Sequence, residues 1–355
     1  MSAITLYISV SCLWIALIFL SASENYNLIV LMFFLGSLVS LGAALLGGQF
    51  LGLTGFLGGY TFGQVIIFIG FSYVIFSEFG PPRLFHFDFF SYCKQYYELI
   101  LIGLLYYIAI WADKLIFWFS ENGRHIHGLF YNFTEYDSPL FLAYITIVPA
   151  LAIFLLNIET GFYGEYRAFY EFVMAKKSLT KIHEKKLNMQ KVIQRSLLDL
   201  MKVQGLVTFL AIYFAPLILK GLRVTSTLSI QIFRYGSIGA FFHAYVLIIT
   251  IILLHYNLRK ETLIITSVFA GGNILFTFIS KSIGTLFYGT GYLMACFITF
   301  VISYFYLKRR IQQLEYLTFT GQPILGKRDD SPELRAKPDG GYGEYVDLDQ
   351  ARASV

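Results

Sequence analysis

An all-α polytopic membrane protein of about nine transmembrane helices is the fold class this 355-residue chain predicts, and three observations predict it. Hydrophobic residues make up 57% of the chain and charged residues 14%, too few polar groups to cover a water-soluble surface. The apolar residues gather in runs close to the roughly 20 residues that a helix needs to cross the hydrocarbon of a bilayer. The runs are continuously apolar, whereas barrel strands alternate over shorter segments.

Spans are expected near 3–20, 27–46, 51–76, 97–119, 139–158, 203–219, 236–255, 262–283 and 286–307. The first lacks a basic leading region and a cleavage site of small residues, so it reads as mature structure and not as a signal peptide. In the second and third, Gly36, Ser40, Ala43 and Gly47, then Gly48, Gly52, Gly55, Gly59 and Gly63, recur at intervals of three and four. Two such small-residue faces can pack closely, and Gly52, Gly55, Gly59 and Gly63 are the expected packing positions. The connection around Gly47 to Phe50 is so short that the pair must form an antiparallel hairpin. Cys12, Cys93 and Cys296 lie far apart, without ligand spacing, and read as packing residues.

Orientation follows from the clustering of Lys and Arg. The segment 159–202 holds Arg167, Lys176, Lys177, Lys181, Lys185, Lys186, Lys191, Arg195 and Lys202, and Arg259, Lys260, Lys308, Arg309 and Arg310 fall on the same side. That side is the cytoplasm, which puts the C-terminus inside and Met1 outside. Lys220, Arg223 and Arg234 stand against this assignment.

Three segments leave the membrane. Residues 77–96, with a Pro pair and mixed charge, divide the three leading spans (1–76) from the six of 97–310. Between 176 and 202, Ile182, Met189, Val192, Ile193, Leu197 and Leu200 recur at helical spacing among lysines. This suits a basic helix lying on an anionic leaflet, and equally a solvated helix running into the next span. Residues 311–355 form a cytoplasmic tail whose polar, Pro/Gly-rich part beyond Gly321 is expected to be largely disordered.

The fourth span contains an adjacent acid and base, Asp113 and Lys114, in "IAIWADKLIFWF". Each costs roughly 2.5 to 3.5 kcal/mol to insert at a helix centre, so such residues mark pairing or transport. Sequence neighbours point about 100° apart on a helix, so the two are not expected to face each other. Lys114 can snorkel outward past Trp118, and the shorter Asp113 is the better candidate for a polar cavity and for substrate or ion coupling. The alternative is that Asp113 pairs with an Arg or Lys of another span.

A second cluster lies in "NIETGFYGEYRAFYEF", where Glu159, Tyr163, Arg167 and Glu171 follow at intervals of four with Tyr166 and Tyr170 beside them. If the helix continues, they share one stripe. Aromatic rings with carboxylate and guanidinium groups suit sugar rings, and equally an interfacial aromatic belt. The 26 Tyr and 36 Phe point the same way without deciding between them. His125 and His127 form an H-x-H in an outer loop without further ligands at metal spacing, so a solvated loop is expected. Asn132 and Thr134 match a glycosylation sequon. No phosphate-binding loop, nucleophile elbow or dinucleotide fingerprint is present, and no cofactor, metal or nucleic-acid partner is expected.

"AIWADKLIFWFS", "YDSPLFLAYITIVPALAIFLLNIETGFYGEYRAFY" and "LKRRIQQLEYLTFTGQP" resemble the corresponding stretches of the PelG family, inner-membrane exporters of the Pel exopolysaccharide within the multidrug, oligosaccharidyl-lipid and polysaccharide (MOP) flippase superfamily. The resemblance runs from about residue 97 to 320; the leading spans fit by hydropathy alone. It implies a two-lobe bundle of twelve helices giving alternating access. Residues 97–310 would be the second lobe, and 1–76 the latter half of a first lobe lacking three helices, as in a shortened gene model. It further implies a cationic, partly deacetylated amino-sugar polymer as substrate, a cytoplasmic glycosyltransferase and other membrane subunits as partners, and contact with membrane lipids. Asp113, Lys114, Glu159, Tyr163, Arg167 and Tyr170 are the candidate pathway residues. Three readings follow: the transporter subunit of a polysaccharide secretion complex, which is a non-enzyme and is preferred; an ion-coupled small-molecule antiporter of the same superfamily; and an integral-membrane glycosyl- or acyltransferase.

Overall fold

The computed structural model describes residues 2–22, 26–80, 89–128, 130–157, 161–224 and 226–320. It is almost wholly helical and divides into two compact units, Met1–Tyr92 and Cys93–Val355. The polar end of the tail, beyond Thr320, lies outside the described residues.

The first unit consists of α1 (Ser2–Ala22) and α2 (Tyr26–Phe79). Although α2 is one run of 54 residues, it is not straight, because Gly52 has φ +60° and ψ −140°. Only glycine enters that region without steric cost, and the chain there turns back on itself. The two legs meet along their small residues. A Cβ on Gly55 would strike the backbone of Gly47, one on Gly59 the backbone of Ala43, and one on Gly63 the backbone of Ser40. The Ser40 hydroxyl donates to the Tyr60 carbonyl at 3.0 Å, which ties the legs across the same seam. Gly52 therefore differs from the other three glycines. Nothing lies within 4 Å of a Cβ built on it, and it serves the turn and not the packing face.

Leu13, Ala16 and Leu20 of α1 pack on Ile67, Phe71 and Val74 of the second leg. Elsewhere the unit presents large apolar side chains outward, with Phe50 83% and Leu53 75% exposed. Such a surface is stable against lipid tails and not against water.

The division between the units falls within α3 (Phe89–Gln95), and the second continues with α4 (Tyr97–Trp118). An antiparallel ribbon follows, β1 (Arg124–His127) with β2 (Phe130–Asn132), pairing Arg124 with Asn132 and His125 with Tyr131. The H-x-H segment is thus a strand of a hairpin, where a plain solvated loop was expected. The helices α5 (Thr134–Ile145) and α6 (Val148–Asn157) form one broken crossing. Pro149 has no N–H to give the Ile145 carbonyl, and the chain tightens there, with Ile147 N–H bonded to the Tyr144 carbonyl at 3.0 Å.

α7 (Tyr163–Met174) is followed by α8 (Leu179–Tyr213), α9 (Ala215–Gly221), α10 (Thr227–His255), α11 (Arg259–Ile283), α12 (Thr290–Gln312) and α13 (Leu314–Thr320). α10 is the central helix, packed against α5, α8, α11 and α12, while α4 lies on α11.

The basic stretch resolves one alternative. α8 is continuous from Leu179 to Tyr213, so the basic helix runs directly into a span. Ile182, Met189, Ile193 and Leu200 are buried in a core shared with α6, α7, α10 and α12. Its apolar stripe is therefore covered by protein, not by a leaflet. At its start Lys186, nearly enclosed, donates to the Gln312 carbonyl at 2.9 Å and pairs with Glu315 at 3.2 Å. An amine at the C-terminal end of α12 meets both its unpaired carbonyls and its dipole. His183 holds the other Glu315 oxygen at 2.7 Å. Burial pushes the Glu315 carboxyl up, but the hydrogen bonds from His183 and Lys186 outweigh it and hold the group below its ordinary range.

Seven of the described helical segments are long and apolar enough to cross a membrane, where the sequence led to nine spans. Two features account for the difference. The two legs of α2 form one segment, Ile29–Ser77, and the apolar run of α1, Ile4–Leu20, is shorter than the rest.

The glycine seam leads to a test. Gly59→Leu must force the two legs of α2 apart and is expected to destabilise the purified protein by about 1–3 kcal/mol or more. Gly58→Ala, whose added Cβ meets nothing within 4 Å, is expected to leave thermal unfolding in detergent unchanged.

Candidate functional site: a buried charge network

The fourth predicted span is α4, and its acid and base are both enclosed. Asp113 is 0% exposed and Lys114 7%. Their helix packs on α11, and the neighbouring α5 brings tyrosines to the same level. The Asp113 carboxylate accepts from the Tyr136 hydroxyl at 2.8 Å and from the Asn273 amide at 3.4 Å. Asn273 also donates to the Ala109 carbonyl at 2.7 Å, and Thr277 donates to the Asn273 oxygen at 3.1 Å. Both carboxylate oxygens in this low-dielectric interior thus meet a donor, as an enclosed carboxylate requires.

Lys114 departs from expectation twice. Its Nζ lies 3.3 Å from Asp113 Oδ1, so the two residues do pair. The Cβ directions of sequence neighbours diverge, but the four-carbon stem of lysine is long enough to curl back. Nor does it snorkel outward. The ammonium donates to the Ile110 carbonyl at 2.9 Å and to the Tyr144 hydroxyl at 3.1 Å, and it lies 4.7 Å from the centroid of the Tyr144 ring. No Arg or Lys of another helix joins Asp113 among the described residues, and in this conformation the carboxylate faces protein where an open polar cavity was expected.

A second polar centre adjoins the first. His243 of α10 is enclosed, with Nε2 2.9 Å from the Tyr106 hydroxyl and Nδ1 2.8 Å from the Tyr292 hydroxyl. Tyr144, which receives the Lys114 bond, meets Tyr292 edge to face with ring centroids 5.3 Å apart. Toward the C-terminal end of α4, Trp118 donates to Asp137 at 2.8 Å, as does the Phe133 backbone at 2.9 Å. Trp118 is therefore occupied by α5 and does not form an exit for the lysine.

The aromatic stripe is divided. Glu159 lies outside the described residues, so the stripe is described only from Tyr163 onward, along α7. Tyr163 and Arg167 are on the open side of α7, with Tyr163 46% exposed and Arg167 paired to Glu171 at 2.8 Å. Such an exposed pair contributes only about 0.2–1 kcal/mol. Tyr170 and Tyr166 lean inward instead, with ring centroids 4.8 Å apart. Tyr166 reaches the His255 carbonyl at 3.1 Å. These two are half-buried packing groups.

The residues that sequence reasoning missed are Tyr136, Tyr144, His243, Asn273 and Tyr292. Two carried a visible signal, since His243 in "AFFHAYV" and Asn273 in "AGGNILF" are strongly polar side chains in the middle of apolar spans.

Crossing helices that hold a carboxylate, an ammonium and an imidazole inside the bundle define a multi-pass membrane protein of the transport class. Residues 1–319 match the model of the PelG family, described as "putative exopolysaccharide exporter (EPS-E)", and the chain belongs to that family. The match reaches through the leading helices, further than the motif resemblance from residue 97 onward. No curated protein and no solved structure matches the chain. The family and the spanning helices together make this a multi-pass protein of the inner membrane, in a family of polysaccharide exporters.

The network predicts an asymmetric response to substitution. Lys114→Met leaves the Asp113 charge buried without its partner and is expected to cost about 3–5 kcal/mol. Tyr136→Phe removes one donor and is expected to cost about 1–3 kcal/mol. Thermal unfolding of the purified variants measures both.

Proposed function

We propose that the chain is the translocating subunit of a synthase-dependent secretion complex, moving a Pel-like, amino-sugar-rich polysaccharide outward across the inner membrane by alternating access or through a conduit. The observation that carries this reading is the family match over residues 1–319. A helical unit with charges held away from lipid supports it, because such groups are costly to insert and are retained where they act. In this reading the superfamily is that of the MOP flippases, residues 97–310 are a complete lobe and 1–76 belong to the other.

The pathway candidates take two roles. Tyr163 and Arg167, on the open side of α7, can meet a sugar directly, by stacking and by guanidinium hydrogen bonds. Asp113 and Lys114 act from inside their unit through their charge and do not touch the polymer in this conformation. Tyr170 joins this candidate surface with its exposed edge, and Glu159 is kept as a candidate on its sequence position alone. A cytoplasmic glycosyltransferase supplies the chain to be moved, and the exposed lysines of α8 offer a surface for it or for lipid headgroups.

Deletion in a polymer-producing cell tests this. The expected result is loss of secreted polymer while isolated membranes still polymerise the sugar nucleotide, with secretion restored by the intact chain. Undiminished secretion would overturn the reading, and loss of polymerising activity from the membranes would favour an enzyme instead.

A further inference from the structure

We propose that the end of the second unit where α8 begins and α12 ends binds anionic phospholipid, through a belt of exposed cations set against an apolar, lipid-facing surface. The proposal goes beyond the export reading and does not depend on it.

Two hydrogen bonds fix the level at which α8 and α12 meet. Lys186 donates to the Gln312 carbonyl at 2.9 Å and Gln190 to the Ile311 carbonyl at 3.4 Å. The start of α8 therefore lies beside the end of α12, and the two helices run in opposite directions. About a turn farther along each, Lys191 and Arg195 of α8 come level with Lys308 and Arg309 of α12. Arg310 pairs with Glu261 in the first turn of α11, which brings Lys260 to the same level. Lys191, Arg195, Lys260, Lys308 and Arg309 are all exposed.

Their charge is uncompensated by the protein. The carboxylates at this end are held by other cations, Glu261 by Arg310, Glu315 by Lys186 and His183, and Glu165 by Lys185. Asp199, on the apolar side of Arg195, is taken by Lys202 at 3.0 Å. Glu184 is exposed, but it lies about two turns from Lys191 on the side away from the apolar surface. No belt cation is in an ion pair among the described residues.

Exposed apolar side chains begin one turn farther in, on the same helix faces, because residues three or four apart are surface neighbours. They are Leu198 after Arg195 on α8, Ile264 after Lys260 on α11, and Phe305 before Lys308 and Arg309 on α12. Along α8 the exposed apolar face continues through Leu206, Phe209 and Tyr213, within a helix long and apolar enough to cross a membrane. The belt thus lies where acyl chains end and headgroups begin, and long basic side chains reach a phosphate from there. A soluble acidic partner matches the cations alone. A zwitterionic lipid matches the apolar faces but brings a positive charge of its own beside the belt. An anionic phospholipid matches both.

The test is native mass spectrometry of the purified full chain in neutral detergent, with equimolar phosphatidylglycerol and phosphatidylcholine of matched acyl chains. The ratio of the two complexes that hold a single lipid is read. Wild type is expected to favour phosphatidylglycerol about fivefold or more, the ratio that one basic residue at an anionic surface supplies. Lys191→Gln with Arg195→Gln, and separately Lys308→Gln with Arg309→Gln, are expected to lower the ratio. Lys191→Arg with Arg195→Lys keeps the charge and is expected to keep the ratio, as is Lys220→Gln at the opposite end of the unit. A fall in either glutamine pair with both controls unchanged supports the belt. The proposal is overturned if wild type shows no preference, which would leave the cations to an acidic protein, if both glutamine pairs retain the preference, or if either control loses it. The ratio is read without polymer, so its failure leaves the export reading standing.

Discussion

The fold of the second unit depends on satisfying the charges of Asp113 and Lys114 where water is absent. An ion pair taken out of water loses solvation that its mutual attraction alone does not return, so it persists only when further hydrogen bonds complete both shells. Here Tyr136 of α5 and Asn273 of α11 complete the carboxylate, while the Ile110 carbonyl and Tyr144 complete the ammonium. Two helices, α5 and α11, are thereby fixed in level and rotation about α4. The aromatic groups around them, Phe117 tilted against Tyr136 and Tyr288, and His243 against Phe269, pack about the enclosed charges.

The first unit solves a different problem. Between helices in lipid there is no hydrophobic gain on association, so close backbone approach must supply the attraction. The seam of Gly55, Gly59 and Gly63 against Gly47, Ala43 and Ser40 does this, and the turn at Gly52 makes both sides of it from one helix. Burial in this unit follows the contact of α1 with the second leg and the seam itself, where Ser40 and Ala44 are enclosed, while large apolar side chains elsewhere are exposed.

The sequence made much of this architecture legible. Continuous apolar runs located the helices, and glycines at intervals of three and four located the seam. What it hid has physical causes. A seam and a turn are both written in glycine, so Gly52 could not be separated from Gly55, Gly59 and Gly63 without its φ angle. Helical geometry set Asp113 and Lys114 apart, but a flexible lysine stem overrode it. The partners Tyr136, Asn273 and Tyr292 lie far along the chain, and Tyr is so common here that no single one stands out. The break before Pro149 lay inside a run, 139–158, read as one span, because hydropathy does not change where a proline interrupts the helical hydrogen bonds.

The central claim is that the charge of the α4 pair serves export and not only the fold. Replacing both members at once separates these, since Asp113→Asn with Lys114→Met removes the charges together and leaves no ion unpaired. The decisive measurement is the polymer secreted by cells carrying this double variant, with its amount in the inner membrane determined alongside. The account predicts wild-type levels of protein and little secreted polymer; wild-type secretion from the uncharged pair would contradict it.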